Sequence, residues 1–242
     1  MKRNIFIGFL TGLMVISVGL LAYIYADRDD HIQIKEVKIT VKDSSHNSFI
    51  SEQDVRSVVK KLNMIGRDGD PDFAQEVENL VEAQTFVSRA ECYQTSSGVF
   101  KIDVWQREPV ARVIGDGFEF YIDKEGNELQ LSNRYFARVI VINGSVSRSF
   151  IKKDLIPLIN NIVEDKFLSA LIEQIYVLPN KELIMIPNIG NHEILFGKIE
   201  NVEEKFDNLY TIYCEAFNIM GWNDYKKVNL KYKGQVVCTR KN

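Results

Sequence analysis

Cysteine, histidine and proline are scarce: three, three and five in 242 residues. Cys92, Cys214 and Cys238 are too few and too scattered for a disulfide scaffold or a zinc finger. His31, His46 and His192 lie far apart, and none falls in an HExxH or other metal-ligand spacing. There is no G-x-S-x-G, no P-loop and no Rossmann glycine pattern. With no clustered nucleophile, acid–base or metal set, neither an enzyme nor a cofactor is expected. An excess of positive charge is also missing. Thirty basic residues face 33 acidic ones, net charge −3, which argues against a partner held by phosphate neutralisation, so no nucleic acid is expected. A mean hydropathy of −0.13 excludes a polytopic membrane protein. What remains is a folded-protein composition, 45% hydrophobic and 26% charged, long enough for one large or two small domains.

One long apolar run stands out. Residues Ile5 to Ala26 carry no charge over 22 positions. As a helix they extend about 33 Å, enough for a hydrocarbon core of about 30 Å. Lys2 and Arg3 precede the run, and Asp27, Arg28, Asp29 and Asp30 follow it. The positive-inside rule then leaves residues 1–4 as a cytoplasmic tail, 5–26 as a transmembrane helix, and everything after it outside. Tyr23 and Tyr25 fall at an interfacial aromatic belt. A cleaved signal peptide fits less well, because the run is long and Tyr23, Ile24 and Tyr25 are bulky where a cleavage site wants small residues. Gly8 and Gly12 form a GxxxG, a spacing common in membrane spans.

The exported part alternates periods. Val37, Ile39 and Val41 have strand spacing; Ile32 and Ile34 have the opposite parity, which predicts a bend near Lys35–Glu36. Ser51 is placed as an N-cap with Asp54 in the capping-box position, ahead of Val55, Val58, Val59 and Leu62. Asp70-Pro71 opens a second helix carrying Phe73, Val77, Leu80 and Val81. Phe86–Tyr93 and Val99–Gln106 read as a hairpin turned by Ser96-Ser97-Gly98. The order β-α-α-β-β makes a compact α+β unit with helices over a three-stranded sheet.

After Glu108-Pro109 strands dominate. They are expected at Val110–Ile114, Phe118–Asp123, Val139–Ile142, Ile175–Leu178, Leu183–Ile186 and Glu193–Phe196. Helices are expected over Lys152–Val163, over a short piece with Leu168, Leu171 and Ile172, and over Val202–Met220 with Phe206, Tyr210, Tyr213, Cys214 and Phe217 on one face. Gly221 closes the last helix. A final hairpin is expected from Lys227–Tyr232 and Gln235–Thr239. Asp123 with Glu125 reads as turn chemistry, Cys214 as a core residue, and Asn143-Gly144-Ser145 as a strand-ending turn that also fits a glycosylation sequon.

The β-α-α-β-β unit beside an apolar anchor looks like a POTRA domain. Phe86-Val87-Ser88-Arg89-Ala90-Glu91, Val99-Phe100-Lys101-Ile102-Asp103-Val104 and Arg107-Glu108-Pro109-Val110-Ala111-Arg112 resemble the most recognisable stretch of the FtsQ/DivIB cell-division family. Phe120-Tyr121-Ile122-Asp123-Lys124-Glu125-Gly126, Ile194-Leu195-Phe196-Gly197, Glu204-Lys205-Phe206 and Val228-Asn229-Leu230-Lys231-Tyr232 are similar to its later motifs in the same order. Asn229 and Lys231 stand where the family usually has Asp and Arg.

The resemblance implies a fold with an N-terminal transmembrane helix, a POTRA domain over 31–108 and a mixed β-rich domain with packed helices over 109–242. It implies a non-enzymatic, single-pass protein of the cytoplasmic membrane at the division septum, with its C-terminal domains in the periplasm or outside. Its partners would be FtsB/DivIC-like and FtsL-like membrane-anchored proteins, with other division components met through the POTRA domain. In that family the last strand offers its edge to the partner. The residues so implied are Leu230, Lys231, Tyr232, Gly234, Gln235, Val236 and Val237. Lys231 would meet a partner acid with a point charge rather than a guanidinium fork. Two rivals are a POTRA protein of outer-membrane or envelope polypeptide transport and an anchored cell-wall hydrolase. A single POTRA unit with no barrel-like strand run argues against the first, the missing catalytic set against the second.

Overall fold

The computed structural model describes residues 14–20, 32–42, 49–132 and 135–241. Most of the apolar run 5–26 lies outside them, as do His31 and His46; residues 14–20 are helical with exposed side chains. Among the described residues no helix is long and apolar enough to cross a membrane.

The first unit is a three-stranded sheet in the order β1-β3-β2, from β1 (Glu36–Lys42), β2 (Val87–Gln94) and β3 (Val99–Gln106). β1 lies parallel to β3, and β2 antiparallel to it. Parallel neighbours need a crossover, and α1 (Glu52–Val59) and α2 (Pro71–Glu82) lie on the chain between them. The start of α1 is set by the expected capping box: Ser51 Oγ accepts from the Asp54 N–H at 3.2 Å, and the Asp54 carboxylate accepts from the Ser51 N–H at 2.9 Å. Asp70 caps α2 by accepting from the Phe73 N–H at 2.8 Å, with Pro71 at the first helical position. Val55, Val59, Phe73 and Val77 then meet Ile39, Phe100, Ile102 and Val104 in one core. The expected bend is present: Lys35 and Glu36 both donate to the Gly98 carbonyl, so β1 begins at Glu36 and Ile34 turns to the neighbouring loop.

The second unit is a nine-stranded sheet in the order β12-β11-β10-β9-β8-β7-β4-β5-β6. Its strands are β4 (Pro109–Gly115), β5 (Phe118–Asp123), β6 (Glu128–Leu129), β7 (Ile140–Gly144), β8 (Ile172–Val177), β9 (Leu183–Pro187), β10 (Glu193–Gly197), β11 (Tyr225–Asn229) and β12 (Val237–Arg240). Parallel pairs β4–β7, β7–β8 and β10–β11 sit among antiparallel ones. The crossover from β7 to β8 is α3, which runs Arg148–Phe150, Ile151–Leu155 and Ile156–Glu164 without a break, followed by α4 (Lys166–Leu171). The crossover from β10 to β11 is α5: Val202–Thr211, Ile212–Ala216 and Phe217–Met220. All three helices bury side chains in the same core as the strands. A fully buried residue such as Ile159 or Phe196 adds about 2 kcal/mol relative to exposure.

Several expectations are corrected. The third helix starts at Arg148 rather than Lys152, because Ser147 caps it by accepting from the Phe150 N–H. Ile172 opens β8 instead of ending a helix, and β6 is too short to leave a pattern. In α5 the buried stripe is Lys205, Leu209, Tyr213 and Phe217, while Tyr210 is 54% exposed. The middle of that helix, Ile212–Ala216, is π-helical, and its wider turn keeps a strict four-residue stripe facing the sheet. A similar stretch, Ile151–Leu155, lies in α3. The final hairpin is also shorter than expected: β11 ends at Asn229, β12 starts at Val237, and 230–236 form a loop.

The two sheets meet at an aromatic cluster and an ion pair. Phe49 stacks on Phe86 at 5.0 Å between centroids and meets Tyr121 and Tyr135 edge-on. Arg107, on the chain from β3 to β4, donates to Asp123 at 3.0 Å, and its N–H donates to the Phe86 carbonyl. Asp123 is 2% exposed and also accepts from Glu125 N–H, Asn127 N–H and the Asn127 side chain. The expected turn chemistry at Asp123 is therefore present and also serves the junction. Burial alone would raise its pKa; the Asn127 and Arg107 hydrogen bonds outweigh it and hold the carboxyl below the usual range.

Candidate functional site

The C-terminal edge begins with Tyr225 and Val228 of β11, both in the core, which seat that strand beside β10. β12 pairs with β11 through Asn229↔Val237, Val228↔Cys238, Lys227↔Thr239 and Tyr225↔Arg240. No strand among the described residues lies on its other side. Along the approach and the strand the faces alternate: Val236 and Cys238 pack on the core, while Val237 and Thr239 are exposed.

Four polar contacts strap the 230–236 loop to the sheet and to α5. The Leu230 N–H donates to the Leu195 carbonyl at 3.0 Å. Lys231 donates its backbone N–H to Asn229 Oδ1 at 3.0 Å and its Nζ to Glu182 at 2.8 Å. The Gly234 N–H donates to Glu204 at 2.9 Å, with Gly234 at φ 69°. The Lys231 stem lies over Gly197, where a Cβ would stand 2.8 Å from Lys231 Cγ, so a larger residue would displace the stem. The hydrogen bond from Lys231, against a smaller desolvation, holds the Glu182 carboxyl below its usual range.

Beneath the loop lies a buried amine. Lys205 Nζ donates to the Lys198 carbonyl at 2.7 Å and sits 4.6 Å over the Phe196 ring. Burial lowers its pKa, against the raising effect of Glu200, Glu182 and Glu204. That contact fixes the turn after β10 on which Lys231 rests.

The seven implied residues divide. Tyr232, Gln235 and Val237 are exposed, and Gly234 shapes the loop. Leu230 is 2% exposed and Val236 packs on the core, so these two build the site from beneath rather than face a partner; their apolar character fits a core as well as a contact. Lys231 is already engaged within the chain. Residues passed over are Glu182 and Glu204, which strap the loop, and Thr239 and Arg240, which complete the edge. One signal for them was present: residues 225–242 carry six basic residues and no acidic one in a chain of net −3. Lys226, Lys233 and Lys241 make no ion pair among the described residues.

Other candidate chemistry resolves into structure. His192 is buried against the Tyr213 hydroxyl, and burial pushes its pKa down. Cys214 is half-buried rather than in the core, and the three cysteines are free. Asn143 accepts from Gln174 within the sheet at 3.1 Å. Among the described residues no group of three or more His, Cys, Asp or Glu could hold a metal ion.

Comparison with known proteins gives two family matches. Residues 108–239 match the family described as FtsQ/DivIB, C-terminal related. Residues 25–105 match the POTRA-like domain. No curated protein matches the chain.

Proposed function

The chain belongs to the FtsQ/DivIB C-terminal related family, and from that premise we propose that it is a bitopic divisome scaffold that recruits other membrane-anchored division proteins. In this reading residues 5–26 span the cytoplasmic membrane with 1–4 inside, 31–108 act as the POTRA domain, and 109–242 act as the β domain at the septum. The role is assembly rather than catalysis. The observation that supports it most is the outermost position of β12. An edge strand offers unpaired N–H and C=O groups that an added strand satisfies, and alternate side chains set register. FtsB/DivIC-like protein, acting with FtsL-like protein, is the partner of choice. The exposed Tyr232, Gln235 and Val237 border the added strand, and the basic run from Lys226 to Lys241 favours an acidic one. Lys231, whose side chain is 40% exposed, exchanges Glu182 for a partner carboxylate.

The test is titration of the full chain in nanodiscs with the exported part of the host's FtsB/DivIC-like protein. Tyr232→Ala with Val237→Asp is expected to weaken binding at least tenfold while circular dichroism is unchanged. Binding that ignores both changes and also survives truncation after Asn229 would sink the edge-strand site.

A further inference from the structure

Among the described residues the small sheet has a free edge of its own. β1 pairs with β3 on one side only. On the other side the loop after α1 covers just its approach: Gly66 N–H donates to the Ile34 carbonyl, Ile34 N–H donates to the Arg67 carbonyl, and Gln33 bridges Asp68. Running backwards, that loop leaves the edge at Ile65 and turns into the end of α1, so Glu36–Lys42 has no neighbour there among the described residues. Where β1 and that loop part, a groove of about 540 Å³ opens beside the strand. Its apolar lining is Val37, Val59, Met64 and Ile65, and its rim carries Arg56 and Lys60. Ile65 is 62% exposed and adjoins the other three apolar residues rather than standing alone. Arg56 and Lys60 project from one face of the α1 end and make no ion pair among the described residues. β1 itself adds Lys38 against Glu36.

We propose that the free edge of β1 and this groove take up an extended partner segment that alternates apolar and acidic residues. Backbone pairing with Glu36–Lys42 supplies affinity without regard to sequence. The alternation supplies selectivity: side chains on one face of the added strand enter the apolar groove, and carboxylates meet Arg56 and Lys60. A basic segment would place like charge at that rim, which costs affinity. The inference stands on the groove and edge alone and is independent of the reading of β12.

The probe is a fluorescein-labelled heptapeptide alternating glutamate and valine, titrated against the full chain in uncharged detergent. Expected are saturable anisotropy and amide shifts centred on residues 36–42. A peptide with lysine for glutamate, and one with alternate backbone nitrogens methylated, should bind at least tenfold more weakly. Arg56→Glu with Lys60→Glu should reverse the charge preference. Ile65→Asp, at an exposed position, should weaken the glutamate peptide severalfold with circular dichroism unchanged. No saturation, equal affinity for both charge forms, or amide shifts confined to 237–240 would overturn the proposal.

Discussion

Arg107–Asp123 and Lys231–Glu182 are both ion pairs that pin a connecting segment to the large sheet, yet their surroundings differ. Asp123 is nearly inaccessible, accepts hydrogen bonds from three further donors and sits where two sheets join. Lys231 is 40% exposed at the side chain and touches only one carboxylate, at the sheet's far end. A buried, fully satisfied pair leaves an expensive orphan when one partner is lost, whereas an exposed one is replaced by water. The junction pair is thus costly to break and the loop pair cheap, although the two distances, 3.0 and 2.8 Å, look alike.

That contrast can be broken most forcefully at the aromatic cluster. Phe49→Ala removes a ring packed on Phe86, Tyr121 and Tyr135, and should cost about 3–4 kcal/mol in urea unfolding. Asp123→Ala should cost about 3 kcal/mol, because it takes the nearer carboxylate from Arg107 and the acceptor from two backbone donors. A loss under about 1 kcal/mol would mean that the junction is no firmer than the edge. The same carboxylate predicts an acid limit. Its pKa is lowered in the fold, so its contribution is present above the unfolded carboxylate pKa. It disappears as pH falls through that value and on through the lowered folded one. Stability measured from pH 7 to pH 3 should therefore fall less steeply in Asp123→Ala than in the unaltered chain. The smallest effect belongs to Lys231→Ala: less than about 1 kcal/mol in stability, with a severalfold loss in binding of the acidic partner. A large stability loss there would erase the distinction.

The first unit was legible because its signals are local. A capping serine with Asp54, Asp70-Pro71, and the alternation at Phe100, Ile102 and Val104 each act within a few residues, and each element forms where they place it. The second unit was legible in element order but not in faces or ends. Leu230 and Tyr232 alternate like a strand, but the chain leaves the ladder at Asn229, and Lys231 and Gly234 are held instead by Glu182 and Glu204, 49 and 30 residues away. Tyr210 fits a helical stripe of normal pitch, yet Leu209 takes the buried place, four residues before Tyr213 of the π-helical turn. Neither contact lies within the reach of a local pattern. At the candidate edge, residue types alone could not separate Leu230 and Val236, which support the site, from Val237, which is open to a partner.

The parallel pairing of β10 with β11 also sets an order of events. β11 cannot reach its place until α5 has crossed the sheet, since parallel neighbours have no short connection. β12 has β11 as its sole strand neighbour among those described. A chain trapped before α5 docks offers no C-terminal edge, so any strand captured by β12 selects for molecules that have finished folding.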